Sequence, residues 1–128
     1  MYSTRLRDDR YYVHCVTVLN RPKVMQFLFD TGAKYTCCSF RALDDDLKEE
    51  DFSDALTKDL GGFVAGSAMR FYQCQLKQFS IGTIDLGRQS IWITFDKRIS
   101  DSVLGMDIIK DIAFKNSPGD HVLYLEKA

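Results

Sequence analysis

The sequence predicts an all-β, barrel-like domain. Many short runs rich in β-branched and aromatic residues are punctuated by glycine or proline. Only one late stretch, "SVLGMDIIKDI" at 102–112, reads as the end of a strand that opens a short helix. At 128 residues the chain is read as a single domain, and its 45% hydrophobic residues are enough for a small core.

Residues 1–10 read as an N-terminal extension. "YYVHCVTVL" at 11–19 is a strand, "NRPK" at 20–23 a turn, and "VMQFLFD" at 24–30 a second strand. Together they make a hairpin that ends on Asp30. Residues 35–40 continue as a short strand. Adjacent Cys37 and Cys38 then point to opposite faces, one into the core and the other half exposed.

Between 41 and 60 lie eight carboxylates against three cations, with Leu43, Leu47, Leu56 and Leu60 at roughly helical spacing. The segment reads as an acidic insertion of one or two solvated amphipathic helical turns. A calcium loop fits poorly, because the glycine and terminal glutamate of an EF-hand are missing at their offsets. Residues 60–64 and 68–79 read as strands around a tip at 65–67, where Gly66 can take a positive φ. "FSIGTIDLG" and "QSIWITF" follow as strands broken by Gly82 and Gly87. "AFKN", the turn "SPGD" and "HVLYLEK" close the chain.

A net charge of −1 offers no basic excess for nucleic acid. No apolar run has the length of a transmembrane helix, and the N-terminus has no apolar stretch of a secretory signal. Cys15, Cys37, Cys38 and Cys74 show no CxxC spacing, and His14 and His121 lie far apart, which argues against a zinc site. Free thiols in a reducing, cytoplasmic compartment are expected.

The residue that asks for an explanation is Asp30. It follows Phe27-Leu28-Phe29, where an isolated charge is costly, and precedes Thr31-Gly32-Ala33. Taken alone, Asp-Thr-Gly could be an Asp capping a turn. "FLFDTGA", the late "SVLGMDII" and the intervening "GGFVAGSAMRFYQCQL" together resemble the retropepsin-like aspartic proteases in order and spacing, over roughly residues 11–127. That family consists of single-lobe homodimeric enzymes of retroviral, cellular and bacterial type.

The resemblance implies a retropepsin-like acid-protease barrel, with its helix after the Val-Leu-Gly motif, and a homodimer acting on a polypeptide. It implies no cofactor, metal, nucleic acid or membrane. Asp30 is the implied catalytic residue, paired with its copy, because only one Asp-Thr-Gly occurs. Thr31, Gly32, Ala33 and Gly105 support the loop. Residues 60–76 are the implied flap, with Val64, Ala65, Gly66 and Ser67 near its tip and Met69 and Phe71 under the cleft. The N-terminal segment and the C-terminal strand are candidates for an intersubunit sheet. Lys34 departs from the family, which often carries Asp or Ser there. It either lowers the proton affinity of the aspartate pair or points to solvent. The fold also serves as a dimerisation or peptide-binding module with weak or lost activity, so an inactive module is the alternative function.

Overall fold

The computed structural model describes residues 1–64, 66–117 and 119–128. Twelve strands follow in chain order: β1 (Tyr2–Arg7), β2 (Arg10–Val18), β3 (Pro22–Phe29), β4 (Cys37–Ser39), β5 (Thr57–Val64), β6 (Ser67–Leu76), β7 (Gln78–Ile81), β8 (Ile84–Asp85), β9 (Gln89–Thr94), β10 (Val103–Leu104), β11 (Ile112–Ser117) and β12 (Val122–Lys127). Among the described residues the one α-helix, α1, spans Met106–Ile109. The all-β class with a short helix after Val-Leu-Gly is therefore observed.

The strands form one hydrogen-bonded path, β11-β12-β1-β2-β3-β10-β4-β9-β6-β5, from which β7 and β8 branch at β2. Strands β2 and β3 make the expected hairpin, but Pro22 opens β3 opposite Val18 and does not sit in the turn. As the first residue of its strand, it costs no ladder bond there. β10 is two residues long. It runs parallel to β3, with Leu104 opposite Phe29, and antiparallel to β4, with Val103 opposite Cys37.

The core divides in two. The larger cluster contains Val13, Phe27, Cys38, Ile81, Ile91, Ile93, Leu104, Ile108 and Leu125. The smaller one contains Cys37, Met69, Phe71, Trp92 and Ile99. Cys37 and Cys38 do face opposite ways, but both are buried, at 3% and 1% exposure. Strand β4 lies between β10 and β9 and is covered on both faces, so the expectation of a half-exposed thiol fails. All four cysteines are free thiols.

Three further expectations need correction. Residues 1–10, read as an N-terminal extension, are part of the sheet, because β1 pairs with β12 and, across a turn at Asp8-Asp9, with β2. Strand β12 has no edge to offer an intersubunit sheet: β1 occupies one side and β11 the other within the same chain. The outer strand is β11.

The acidic segment holds two short 3-10 turns, Phe40–Ala42 and Glu49–Phe52, and its last residues, from Thr57, already belong to β5. It is not wholly solvated either. Ala42, Leu43 and Asp44 are buried, and the Asp46 N–H donates to the Asp44 carboxylate at 3.0 Å. Aromatic rings hold it to the body together with Leu43, Leu47 and Leu60. Phe40 stacks on Phe95 at 4.9 Å and Phe52 meets the same ring at 5.7 Å, whereas Leu56 is 65% exposed.

Candidate active site

The apolar end of β3 explains where Asp30 goes. Phe27 is fully buried in the larger core, and the strand carries the next residues to the core edge, so that Asp30 emerges half-buried. Its backbone N–H donates to the Leu104 carbonyl at 3.1 Å, which extends the β3–β10 pairing by one residue. The chain then reverses. The Ala33 N–H donates to the Asp30 carbonyl at 3.1 Å, and the Gly32 N–H donates to Asp30 Oδ1 at 2.9 Å. A Cβ at position 32 would stand 3.2 Å from that same oxygen, so glycine leaves room for the carboxylate over the turn. Thr31 is exposed, Ala33 is half-buried, and Lys34 is exposed.

A second set of bonds ties this loop to the segment after β10. The Met106 N–H donates to the Ala33 carbonyl at 2.8 Å, and the Asp107 N–H to the Lys34 carbonyl at 3.2 Å. The Asp107 carboxylate accepts from the Thr36 N–H at 2.9 Å and from the Thr36 hydroxyl at 2.6 Å. The Thr36 hydroxyl oxygen in turn accepts the Gly105 N–H at 3.0 Å. Gly105 is buried and packs on the Tyr35 backbone. A Cβ there would lie 2.5 Å from the Tyr35 carbonyl carbon and oxygen. The sequence pointed to Gly105 but not to Thr36 or Asp107, whose signal is only a hydroxyl after the loop and a carboxylate in the helix.

Lys34 is exposed and lies beside an aromatic ring. Its Nζ lies 5.4 Å from the centre of the Tyr35 ring, and Lys58 Nζ lies 5.1 Å from the same ring. The Lys58 ammonium first, and Lys34 with it, favour the phenolate and hold the Tyr35 pKa below the ordinary tyrosine value. Desolvation acts the other way. Beneath the loop, burial above all, with the Asp107 and Asp30 carboxylates adding, pushes the Cys37 thiol up to about 12.

The hairpin β5–β6 occupies the place where a flap was expected, but it begins at Thr57. Gly66 turns with φ +74° as foreseen, and Ser67 pairs with Val64. Gly62, with φ +95°, lies in a register shift between Leu60 and Val64 that the sequence reading missed. Met69 and Phe71 are buried in the smaller core, beneath the hairpin. Ala65 and the side chain of Val64 lie outside the described residues. A cavity of about 530 Å³ lies against β11 and β12, and Asp30 is not among its lining residues.

A lone Asp-Thr-Gly turn is thus bonded to a strand threaded between β3 and β4, in a β-rich chain whose described residues hold a single short α-helix. Residues 16–108 match the family described as aspartyl protease, and the chain belongs to that family. A retropepsin-like aspartic protease from Rickettsia conorii, known from its crystal structure, is 17% identical and superposes with a TM-score of 0.61 over 99% of this chain and 92% of that one, a likeness of fold. No curated protein sequence matches the chain. Among the described residues, no helix is long and apolar enough to cross a membrane.

Proposed function

We propose that the chain is an aspartic endopeptidase that works as a homodimer, with the Asp30 carboxylates of two copies facing each other across one water molecule. The observation that carries this reading is the Asp30 turn. A half-buried carboxylate leaves the core at a strand end, takes the Gly32 N–H at 2.9 Å, and is the only Asp-Thr-Gly aspartate in the chain. One carboxylate with nothing to share its proton cannot act as both base and acid. A two-fold axis between two copies supplies the second. One Asp30 then takes a proton from the water while the other donates a proton to the peptide carbonyl oxygen. Like charges at that distance do not both ionise cheaply, so the pair titrates as a unit.

The β5–β6 hairpin serves as the flap. Gly61, Gly62 and Gly66 have open space around their α-carbons, which suits a segment that opens over a peptide and closes again. Four unpaired thiols fit a reducing, cytoplasmic location.

The test is digestion of casein and a peptide library from acid to neutral pH, by wild type and by Asp30→Asn, with sedimentation to give the oligomeric state. We expect a dimer, an activity profile that is bell-shaped with its optimum at roughly pH 4 to 6, and no turnover by a folded Asp30→Asn. Turnover by Asp30→Asn near the wild-type rate would end this reading. A dimer that binds peptide without Asp30-dependent cleavage would favour the inactive-module alternative.

A further inference from the structure

Two cations near the Asp30 loop have no carboxylate to neutralise them. Lys34 stands four residues after Asp30, and Lys58 stands on β5, the hairpin strand at the end of the sheet path. Their ammonium groups meet over one ring, at 5.4 and 5.1 Å from the centre of Tyr35, and Lys58 also lies 5.5 Å from the centre of Trp92. Tyr35 and Trp92 are themselves packed edge to face at 5.9 Å. Among the described residues, neither lysine forms an ion pair.

The carboxylates of the neighbourhood are committed to other donors. Asp59 pairs with Arg70 at 3.7 Å, Asp107 accepts the N–H and hydroxyl of Thr36, and Asp30 accepts the Gly32 N–H. Tyr35 and Trp92 also line an adjoining cavity of about 430 Å³, whose charged lining is Arg88 and the already committed Asp107. Two like charges held beside one half-exposed ring repel each other, and an anion brought close to both relieves that repulsion. The phenol of Tyr35 already responds to this field, and a carboxylate brought to the same spot from outside feels it too.

We propose that Lys34, Lys58 and Tyr35 form a side-chain subsite for an acidic residue of the bound peptide, and that they select substrates carrying Asp or Glu beside the scissile bond. This rests on the reading of the chain as one that takes a polypeptide. The two lysines come from different elements, the Asp30 loop and the hairpin, so an acidic side chain between them also bridges hairpin and loop. Lys34 and Lys58 are specificity-determining residues here and touch no reacting atom.

The test uses Asp30→Asn protein, so that binding is read without turnover, and dye-labelled octapeptide pools with Glu, Gln or Lys at one scanned position. Fluorescence anisotropy should show Glu pools binding roughly 3- to 10-fold more tightly than Gln pools at low salt. The preference should shrink at about 0.5 M salt, where charges a few ångströms apart are screened. It should vanish in the Lys34→Gln/Lys58→Gln double variant and persist in Lys97→Gln, a charge control outside the subsite. Equal binding of Glu and Gln pools, no binding of any pool, or a Glu preference kept by the double variant would overturn the proposal. Wild-type digestion of the same pools separates this from the protease reading. Acid-selective binding without Asp30-dependent cleavage removes the enzyme and keeps the subsite. Cleavage with no acidic preference does the reverse.

Discussion

The Asp107 carboxylate accepts both the backbone N–H and the side-chain hydroxyl of Thr36, a residue 71 positions earlier in the chain. Thr36 is fully buried, and its hydroxyl oxygen passes the contact on to the Gly105 N–H. One carboxylate thus satisfies two donors of a buried residue and fixes the distance between the Asp30 loop and α1.

Removing that carboxylate leaves buried donors unpaired, which costs about 1–3 kcal/mol. Asp107→Ala should therefore lower the thermal midpoint by several degrees. Asp107→Asn, which keeps one acceptor oxygen, should lose less. Circular dichroism melts of the three proteins decide it. An unchanged midpoint for Asp107→Ala would mean that the Thr36 contact contributes nothing to stability.

Gly105→Ala tests the packing on the other side of the same contact. The added methyl would meet backbone atoms of Tyr35 at 2.5 Å, and backbone cannot swing aside as a flexible side chain can. Overpacking of this kind costs typically about 1–3 kcal/mol. Gly61→Ala is the matched control, since its Cβ would have nothing within 4 Å. Urea titration should separate the two clearly, and equal midpoints would refute the clash.

The thiols should be inert in the folded protein. Burial pushes Cys37 up to about 12 and Cys74 up to about 11, and raises Cys15 and Cys38 as well. A thiol-specific disulfide reagent near pH 8 should find almost no thiolate until denaturant is added, when all four cysteines should react. Fast labelling of the native protein at Cys37 would show that the loop above it opens often.

Asp96 gives the pH prediction. The Arg98 side chain donates to it at 3.0 and 2.8 Å, and together with the Arg98 backbone N–H lowers its pKa to about 2. A carboxyl whose folded pKa lies below its unfolded value near 3.9 binds fewer protons when folded. Its contribution is present above about pH 4 and is lost as the pH falls through about 2. The difference in thermal midpoint between wild type and Asp96→Asn should be greatest above pH 4 and should close toward pH 2. A difference that grows on acidification would contradict the sign.

What the sequence made legible was local. Phe27-Leu28-Phe29 announced a strand that ends on a charge, Gly66 announced a turn, and Gly105 a close approach, and the structure bears out the strand, the turn and the packing. What it hid was non-local or chemically disguised. In β1, Tyr2, Thr4 and Leu6 alternate with exposed Ser3, Arg5 and Arg7, so the period of two is there, masked by charge. The turn after it uses Asp8 and Asp9 at φ 51° and 63°, where glycine or asparagine would have advertised a hairpin. The burial of both Cys37 and Cys38 depends on β9 and β10, strands that arrive more than fifty residues later. The pairing of Asp107 with Thr36 could not be read from either residue's neighbours.

The two-residue strand β10 also sets an order of events. It cannot pair until β3 and β4 are both available, and Gly105 reaches Thr36, which lies 69 positions earlier. Closing so long a loop is entropically slow, and contacts of this range are among the last that a folding chain rewards. During synthesis, the β2–β3 hairpin and Asp30 emerge long before the segment that disciplines them. The growing chain therefore carries its aspartate for most of its length without the loop geometry around it. The Asp30 turn reaches its bonded geometry only after residues 103–107 have been made.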